Sequence, residues 1–312
     1  MGRHTWPVAL PTGCPLGSLR RMLRFSTTIA RLLTLTVLLM PGAGSAPAAA
    51  IGAMAPGAAL SPQEAPLDRE RLWSNGCIAL ESRTVPGSCI FGVADSSFTL
   101  ALVGDSHMSH LFAGFERLAW LRGWRLVVYT KVSCPFLDIP IRNFYSGKEY
   151  VACATWNRNV LLELRALKPD LTVTVAFRGI HPMDPAKETA TREGAAIGRM
   201  LKQVPGRRAI IVDTPYSLRD IPTCLEGHPK HPDACMIPAA EVLSVGVRTR
   251  ERAAADLAGA TYLDLTSAIC GGFPCRVIRQ GVVMFRDSHH LTNTYAATLR
   301  DVLGAAMDRA LE

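Results

Sequence analysis

Two short polar clusters, far apart in the chain, hold residue types that together could run serine-nucleophile chemistry. The first is Gly104-Asp105-Ser106-His107, which ends the apolar run of LALVGDSHMSHLF, residues 100–112. A strand-to-helix turn with an Asp or Ser cap explains these residues. A nucleophilic serine held at the carboxyl end of a strand explains them equally. The second cluster is FRDSHHLTNTYA, residues 285–296, where Asp287 and His290 stand three apart before the last helical segment. On a turn, that spacing lets the carboxylate accept a hydrogen bond from the imidazole Nδ1–H and leaves Nε2 to face a hydroxyl. Serine needs such a base and orienter, because an unassisted hydroxyl is a poor nucleophile at neutral pH. A helix cap with exposed histidines accounts for the second cluster as well. His289 is a competing base, although an extended turn would point it away from His290.

The elements that must position these clusters alternate along the chain. Strand-like runs at TLALVGDS, WRLVVYT (124–130), LTVTVAF (171–177), RAIIVDTP (208–215) and ATYLDLT (260–266) are separated by helical patterns. Those patterns cover 107–122, 155–167, 188–203, 238–258 and 293–311. Such alternation predicts βαβ units around a parallel sheet of about five strands, with ligands at the strands' carboxyl ends. Residues 67–98 carry two cysteines and little periodicity, and read as an N-terminal extension strapped onto a domain spanning 99–312.

Net charge is +8 over 312 residues, but five arginines and no acid fall within residues 1–50. The remainder holds 29 basic and 26 acidic residues, too even a balance to point to nucleic acid. Arg20, Arg21 and Arg24 precede the apolar segment Leu32–Met40 and then PGAGSAPAAA. This reads as a signal peptide within 1–50, with an uncleaved anchor as its rival and Met22 as an alternative start. Residues 51–66, rich in Ala, Pro and Gly, read as a flexible linker. The protein is therefore expected outside the cytoplasm, secreted or anchored.

Of nine cysteines, Cys14 lies upstream of the apolar segment. The other eight suit disulfides in an exported chain. Proximity pairs Cys77 with Cys89, Cys134 with Cys153, Cys224 with Cys235, and Cys270 with Cys275. In CLEGHPKHPDAC, the residues Cys224, His228, His231 and Cys235 are spaced like zinc ligands. Export and the prolines beside the two histidines favour a disulfide-closed polar loop instead.

GDSH after the first central strand and DSHHLT before the last helix resemble the first and last signature blocks of the SGNH (GDSL-like) hydrolase superfamily. VSCPF, LTSAICGGFPC and MFRDSHHLTNTYA resemble more narrowly the SGNH domain fused to family 3 membrane acyltransferases, which acylate surface polysaccharides. The likeness runs from about residue 95 to the end. It implies a three-layer α/β/α, flavodoxin-like fold. It makes Ser106 the nucleophile, His290 the base (followed by the matching Leu291) and Asp287 its orienter, with Asp105 and His107 in support. The Ser106 N–H would contribute to the oxyanion hole.

Departures from the superfamily pattern lie in that hole. The second-strand loop TKVSCPF lacks the usual glycine, and the third-strand loop FRGIHP lacks the usual asparagine. Arg178 or the Gly179 N–H could substitute, and Arg178 could instead bind an anionic sugar. Acyl transfer on a cell-envelope carbohydrate through acyl-Ser106 is the function implied, without metal or nucleotide cofactor. Its partners would be an acylated or acceptor polysaccharide and a membrane acyltransferase that supplies acyl groups. A secreted carbohydrate O-acetylesterase and a non-catalytic polysaccharide-binding module are the alternatives.

Overall fold

The apolar runs form the middle of a single sheet. The computed structural model describes residues 59–87, 89–186 and 189–312. The expected signal or anchor and the first part of the linker lie outside the described residues. In chain order the elements are β1 (Ile78–Ala79), β2 (Cys89–Gly92), β3 (Thr99–Gly104), α1 (Ser106–Ser109), α2 (Phe112–Arg122), β4 (Arg125–Lys131), α3 (Val151–Leu167), β5 (Leu171–Val175) and α4 (Ala190–Lys202). They continue with β6 (Arg207–Ile211), α5 (Ile221–Gly227), α6 (Ala239–Val242), α7 (Val245–Ala258), β7 (Thr261–Leu263), α8 (Thr266–Cys270), the hairpin β8 (Ile278–Arg279) and β9 (Val282–Val283), α9 (Asn293–Thr298) and α10 (Arg300–Leu311).

The main sheet runs β1-β4-β3-β5-β6-β7, with β2 also against β4. All its pairings are parallel except β2–β4. It has seven strands rather than five. Both additions come from the 67–98 segment and cover the outer edge of β4, whose unpaired backbone groups would otherwise face water. β2 pairs with Arg125–Val128, and β1 with Thr130 and Lys131. Strands of two and four residues are too short to display a period in the sequence.

Alternation along the strands feeds two cores. Leu100, Leu102, Val128, Val173 and Ile211 pack with Phe112, Phe115, Leu303 and Met307 on one face. Ala101, Val103, Val127, Tyr129 and Ile210 pack with Trp156, Val160, Ile197 and Ala254 on the other. Layers α2, α9 and α10 and layers α3, α4 and α7 thus enclose the sheet, an α/β/α arrangement. The 238–258 pattern is two helices rather than one. Ser244 breaks the run by capping α7, its Oγ accepting from the Val247 N–H. The 107–122 and 293–311 patterns likewise divide, into α1 and α2 and into α9 and α10.

Four disulfides close local loops: Cys77–Cys89, Cys134–Cys153, Cys224–Cys235 and Cys270–Cys275. They suit an oxidising compartment outside the cytoplasm. With Cys224 and Cys235 joined, the loop that carries exposed His228 and His231 offers no thiolate to zinc. Among the described residues, no helix is long and apolar enough to cross a membrane.

A buried lysine ties the N-terminal extension to the sheet. Lys131 Nζ donates to the carbonyls of Leu80, Glu81 and Arg83 at 2.6, 2.8 and 2.8 Å, and burial pulls its pKa down to about 8. Lys131→Met fills the same space but takes the donor from three carbonyls, of which, among the described residues, only that of Leu80 keeps another, the Arg83 N–H. A loss of about 2–3 kcal/mol is expected, part of the cost being offset by no longer burying a charge. Denaturant unfolding checks the loss. Unchanged stability would mean that the strap is held by Cys77–Cys89 alone.

Candidate active site

The β3–α1 turn is built for close approach. A Cβ on Gly104 would come within 2.6 Å of the Val175 carbonyl oxygen and 3.0 Å of Met108 Cβ, so β3 can end against β5 only with glycine there. Asp105 is the N-cap of α1. Its Oδ1 accepts from the His107 N–H and its Oδ2 from the Phe177 N–H, both at 2.8 Å. Burial pushes its carboxyl pKa up. Asp105 thus braces the turn against the end of β5, and Ser106 follows at the first helical position.

The loop before α9 meets this turn. The Arg286 N–H donates to the His290 carbonyl at 2.9 Å and closes the loop. Asp287 Oδ1 accepts from the N–H groups of His289 and His290 at 2.8 and 2.7 Å. Its Oδ2 accepts from His290 Nδ1–H at 2.7 Å, and the Ser106 hydroxyl donates to His290 Nε2 at 2.9 Å. The structure therefore brings Ser106, His290 and Asp287 into one hydrogen-bonded run, although Ser106 and His290 are 184 residues apart. Burial pushes the Asp287 carboxyl up, but the bonds from His290 and both backbone N–H groups outweigh it and hold it well below the usual range. Burial pulls the His290 imidazole below an ordinary histidine, with Asp287 opposing.

Around this run lies a cleft of ≈ 470 Å³, within the usual range of small-molecule sites. Trp73, Phe144, Tyr145 and Tyr216 supply aromatic walls, and Arg69 and Arg286 line it too. Phe144 and Tyr145 are 64% and 69% exposed, large apolar surfaces left open at the cleft. Ser133 also lines it, in a left-handed backbone conformation with φ 50°. Among the described residues, no hydrogen bond uses the N–H of Ser106 or of Ser133.

Arg178 points inward. Its Nε donates to Asp213 Oδ2 at 3.2 Å, Nη1 to the Glu241 carbonyl at 3.0 Å and Nη2 to the Thr214 carbonyl at 2.9 Å. Gly179 lines a smaller adjoining hollow of ≈ 40 Å³ with Asp105 and Ser133. His107 is fully buried beneath the cleft, with Nδ1 against Asp213 Oδ1 at 2.5 Å and Nε2 against His289 Nδ1 at 2.9 Å. His107, His289 and His290 have nitrogens within 4.8 Å of one another, and hydrogen bonds to His289, His107 and Ser106 occupy the facing ones.

Sequence reasoning missed Asp213 and Glu70. Asp213 ends the RAIIVD run just past the carboxyl end of β6, where open sheets gather their polar groups, and that position was the available signal. Glu70 gave none. It is buried, and it accepts from Arg286 Nη1 at 2.5 Å, Ser109 Oγ at 2.6 Å and Trp73 Nε1 at 3.0 Å. The extension is thereby joined to the residue next to Asp287.

Comparison with known proteins bears on the fold and the family. The periplasmic domain of a lipopolysaccharide acetyltransferase from Salmonella ser. Paratyphi A is 16% identical, with a TM-score of 0.56 over 76% of this chain and 87% of that one. An acetylxylan esterase from Geobacillus stearothermophilus is 11% identical, with a TM-score of 0.36 over 70% of this chain and 96% of that one. Of the two, the first is similar enough to speak for a shared fold. No curated protein sequence matches the chain. The profile of the SGNH domain fused to AT3 domains matches residues 53–305, and the chain belongs to that family.

Proposed function

We propose that this protein moves acyl groups on cell-envelope carbohydrates through an acyl-Ser106 intermediate, outside the cytoplasm. The observation that carries the reading is the Asp287–His290–Ser106 run opening onto an aromatic-walled cleft. Ser106 Oγ attacks the acyl carbon while His290 Nε2 takes the hydroxyl proton, and Asp287 holds Nδ1–H and steadies the imidazolium. The leaving alcohol departs with that proton. An incoming hydroxyl then attacks the acyl carbon, its proton passes through His290 to Ser106 Oγ, and the C–Oγ bond breaks. The free N–H groups of Ser106 and Ser133 are suited to the developing oxyanion, a role Arg178 is poorly placed to share with its guanidinium turned toward Asp213. The family's fusion to AT3 domains supports a membrane acyltransferase as the acyl source. The Salmonella acetyltransferase domain supports a polysaccharide acceptor.

A small activated acetyl ester tests transfer against hydrolysis. Added envelope glycan should speed breakdown of the acyl-enzyme, with acetyl appearing on the glycan, because a bound acceptor gains in effective concentration over water. Acetate as the main product at saturating acceptor would make the protein an esterase.

The pH profile follows from His290. The base works neutral, and burial holds its pKa below the ordinary 6.5. Acylation should therefore stay level as pH falls through 6.5 and decline only below it. Stopped-flow rates across the acid range check this, and a midpoint above 6.5 would contradict it.

A further inference from the structure

Beneath the cleft lies a second run of hydrogen bonds that the acyl-serine chemistry does not use. Asp213 Oδ1 faces His107 Nδ1, and His107 Nε2 faces His289 Nδ1. Asp213 and His107 are fully enclosed. Burial pushes the Asp213 carboxyl up, but the hydrogen bond from His107 and the Arg178 and Arg250 guanidinium groups outweigh it and hold it well below the usual range. It therefore accepts the His107 Nδ1–H. The Arg178 guanidinium lies on the other carboxylate oxygen at 3.2 Å and balances its charge. With His107 neutral, its Nε2 accepts from His289 Nδ1–H and His289 Nε2 is left bare. Burial pulls the His289 pKa down, so the ring stays neutral. Among the described residues His289 Nε2 has no partner, and it is not closed off from solvent. Phe177 and Tyr216 hold the ring by stacking at 4.8 and 5.9 Å between centroids.

We propose that Asp213 and His107 position His289 so that its Nε2 accepts a hydrogen bond from a second hydroxyl of the acceptor, next to the one that attacks acyl-Ser106. The inference rests on the acyl-transfer reading. The reacting hydroxyl gives its proton to His290 and cannot also serve His289. The two rings lie 4.1 Å apart between centroids, within reach of hydroxyls on adjacent carbons. The site would thus select a vicinal diol over water or a simple alcohol, the distinction a sugar presents. Asp213 and His107 act through His289 and touch no substrate.

The probes are p-nitrophenyl acetate as donor and two matched acceptors, cyclohexanol and the cyclohexane diol with adjacent hydroxyls. Wild type should prefer the diol at least tenfold in transfer rate. His289→Ala should lose that preference while its p-nitrophenol burst falls less than about threefold, and His289→Gln, whose amide oxygen can accept, should recover part of it. Long-range ¹H–¹⁵N spectra should show His289 protonated at Nδ1 and bare at Nε2, with Asp213→Asn shifting the tautomer. Equal loss of burst and preference, an unchanged preference, or a protonated Nε2 overturns the inference and leaves acyl-Ser106 standing. A wild-type burst that yields acetate alone overturns the transferase reading and this inference with it. No wild-type burst overturns the acyl-serine itself.

Discussion

Asp287→Asn is expected to lower the rate of Ser106 acylation by about 10⁴-fold, the scale of the same change in serine-protease triads. The amide oxygen can still accept from the His289 and His290 N–H groups, so the loop keeps its turn. Its amide N–H, however, faces Nδ1 and forces the His290 proton onto Nε2. That nitrogen then cannot accept from the Ser106 hydroxyl. The burst from p-nitrophenyl acetate measures the loss, and an unchanged melting temperature shows that the fold survived. A fall of less than tenfold would reduce Asp287 to a loop cap.

Glu70→Ala is expected to be the most damaging change to stability. It removes the carboxylate from a buried pair with Arg286 and strands the guanidinium, along with Trp73 Nε1, while Ser109 Oγ keeps the Ser106 carbonyl. Breaking a buried pair on one side costs about 3–5 kcal/mol, which corresponds to a fall in melting temperature of roughly 6–20 °C in a domain of this size. Replacing both partners, Glu70→Ala with Arg286→Met, should cost less than the single change, because no charge is left unpaired. Calorimetry on the two variants checks the order. If the double variant is the less stable, Arg286 is held by something other than Glu70.

The central strands and the Asp287–His290 pair were legible because their signals are local. An apolar run is visible by itself, and a carboxylate three residues before a histidine needs only a turn. Contacts across the sheet were not legible. Asp213 meets His107 across 106 residues, and Glu70 meets Arg286 across 216. A lone Asp at a strand end or a Glu in an irregular segment looks the same whether it caps, solvates or pairs. The choice between His289 and His290 shows the limit. Both follow Asp287; the family resemblance favours His290, and in the structure the packing of His107 beneath one and Ser106 beside the other separates them. The extension was underestimated because strands as short as β1 and β2 carry no period, although they complete the sheet. Ser133 was passed over for lacking the glycine expected there, yet its backbone takes the left-handed conformation glycine favours.

The most direct test is to find where the acyl group goes. The protein is mixed with p-nitrophenyl acetate, quenched in acid during the burst, digested and mapped by mass spectrometry. One acetyl group is expected on Ser106, absent in Ser106→Ala and lost from the wild type when acceptor is added before the quench. Acetyl on another residue, or equal labelling of Ser106→Ala, would contradict an acyl-Ser106 intermediate.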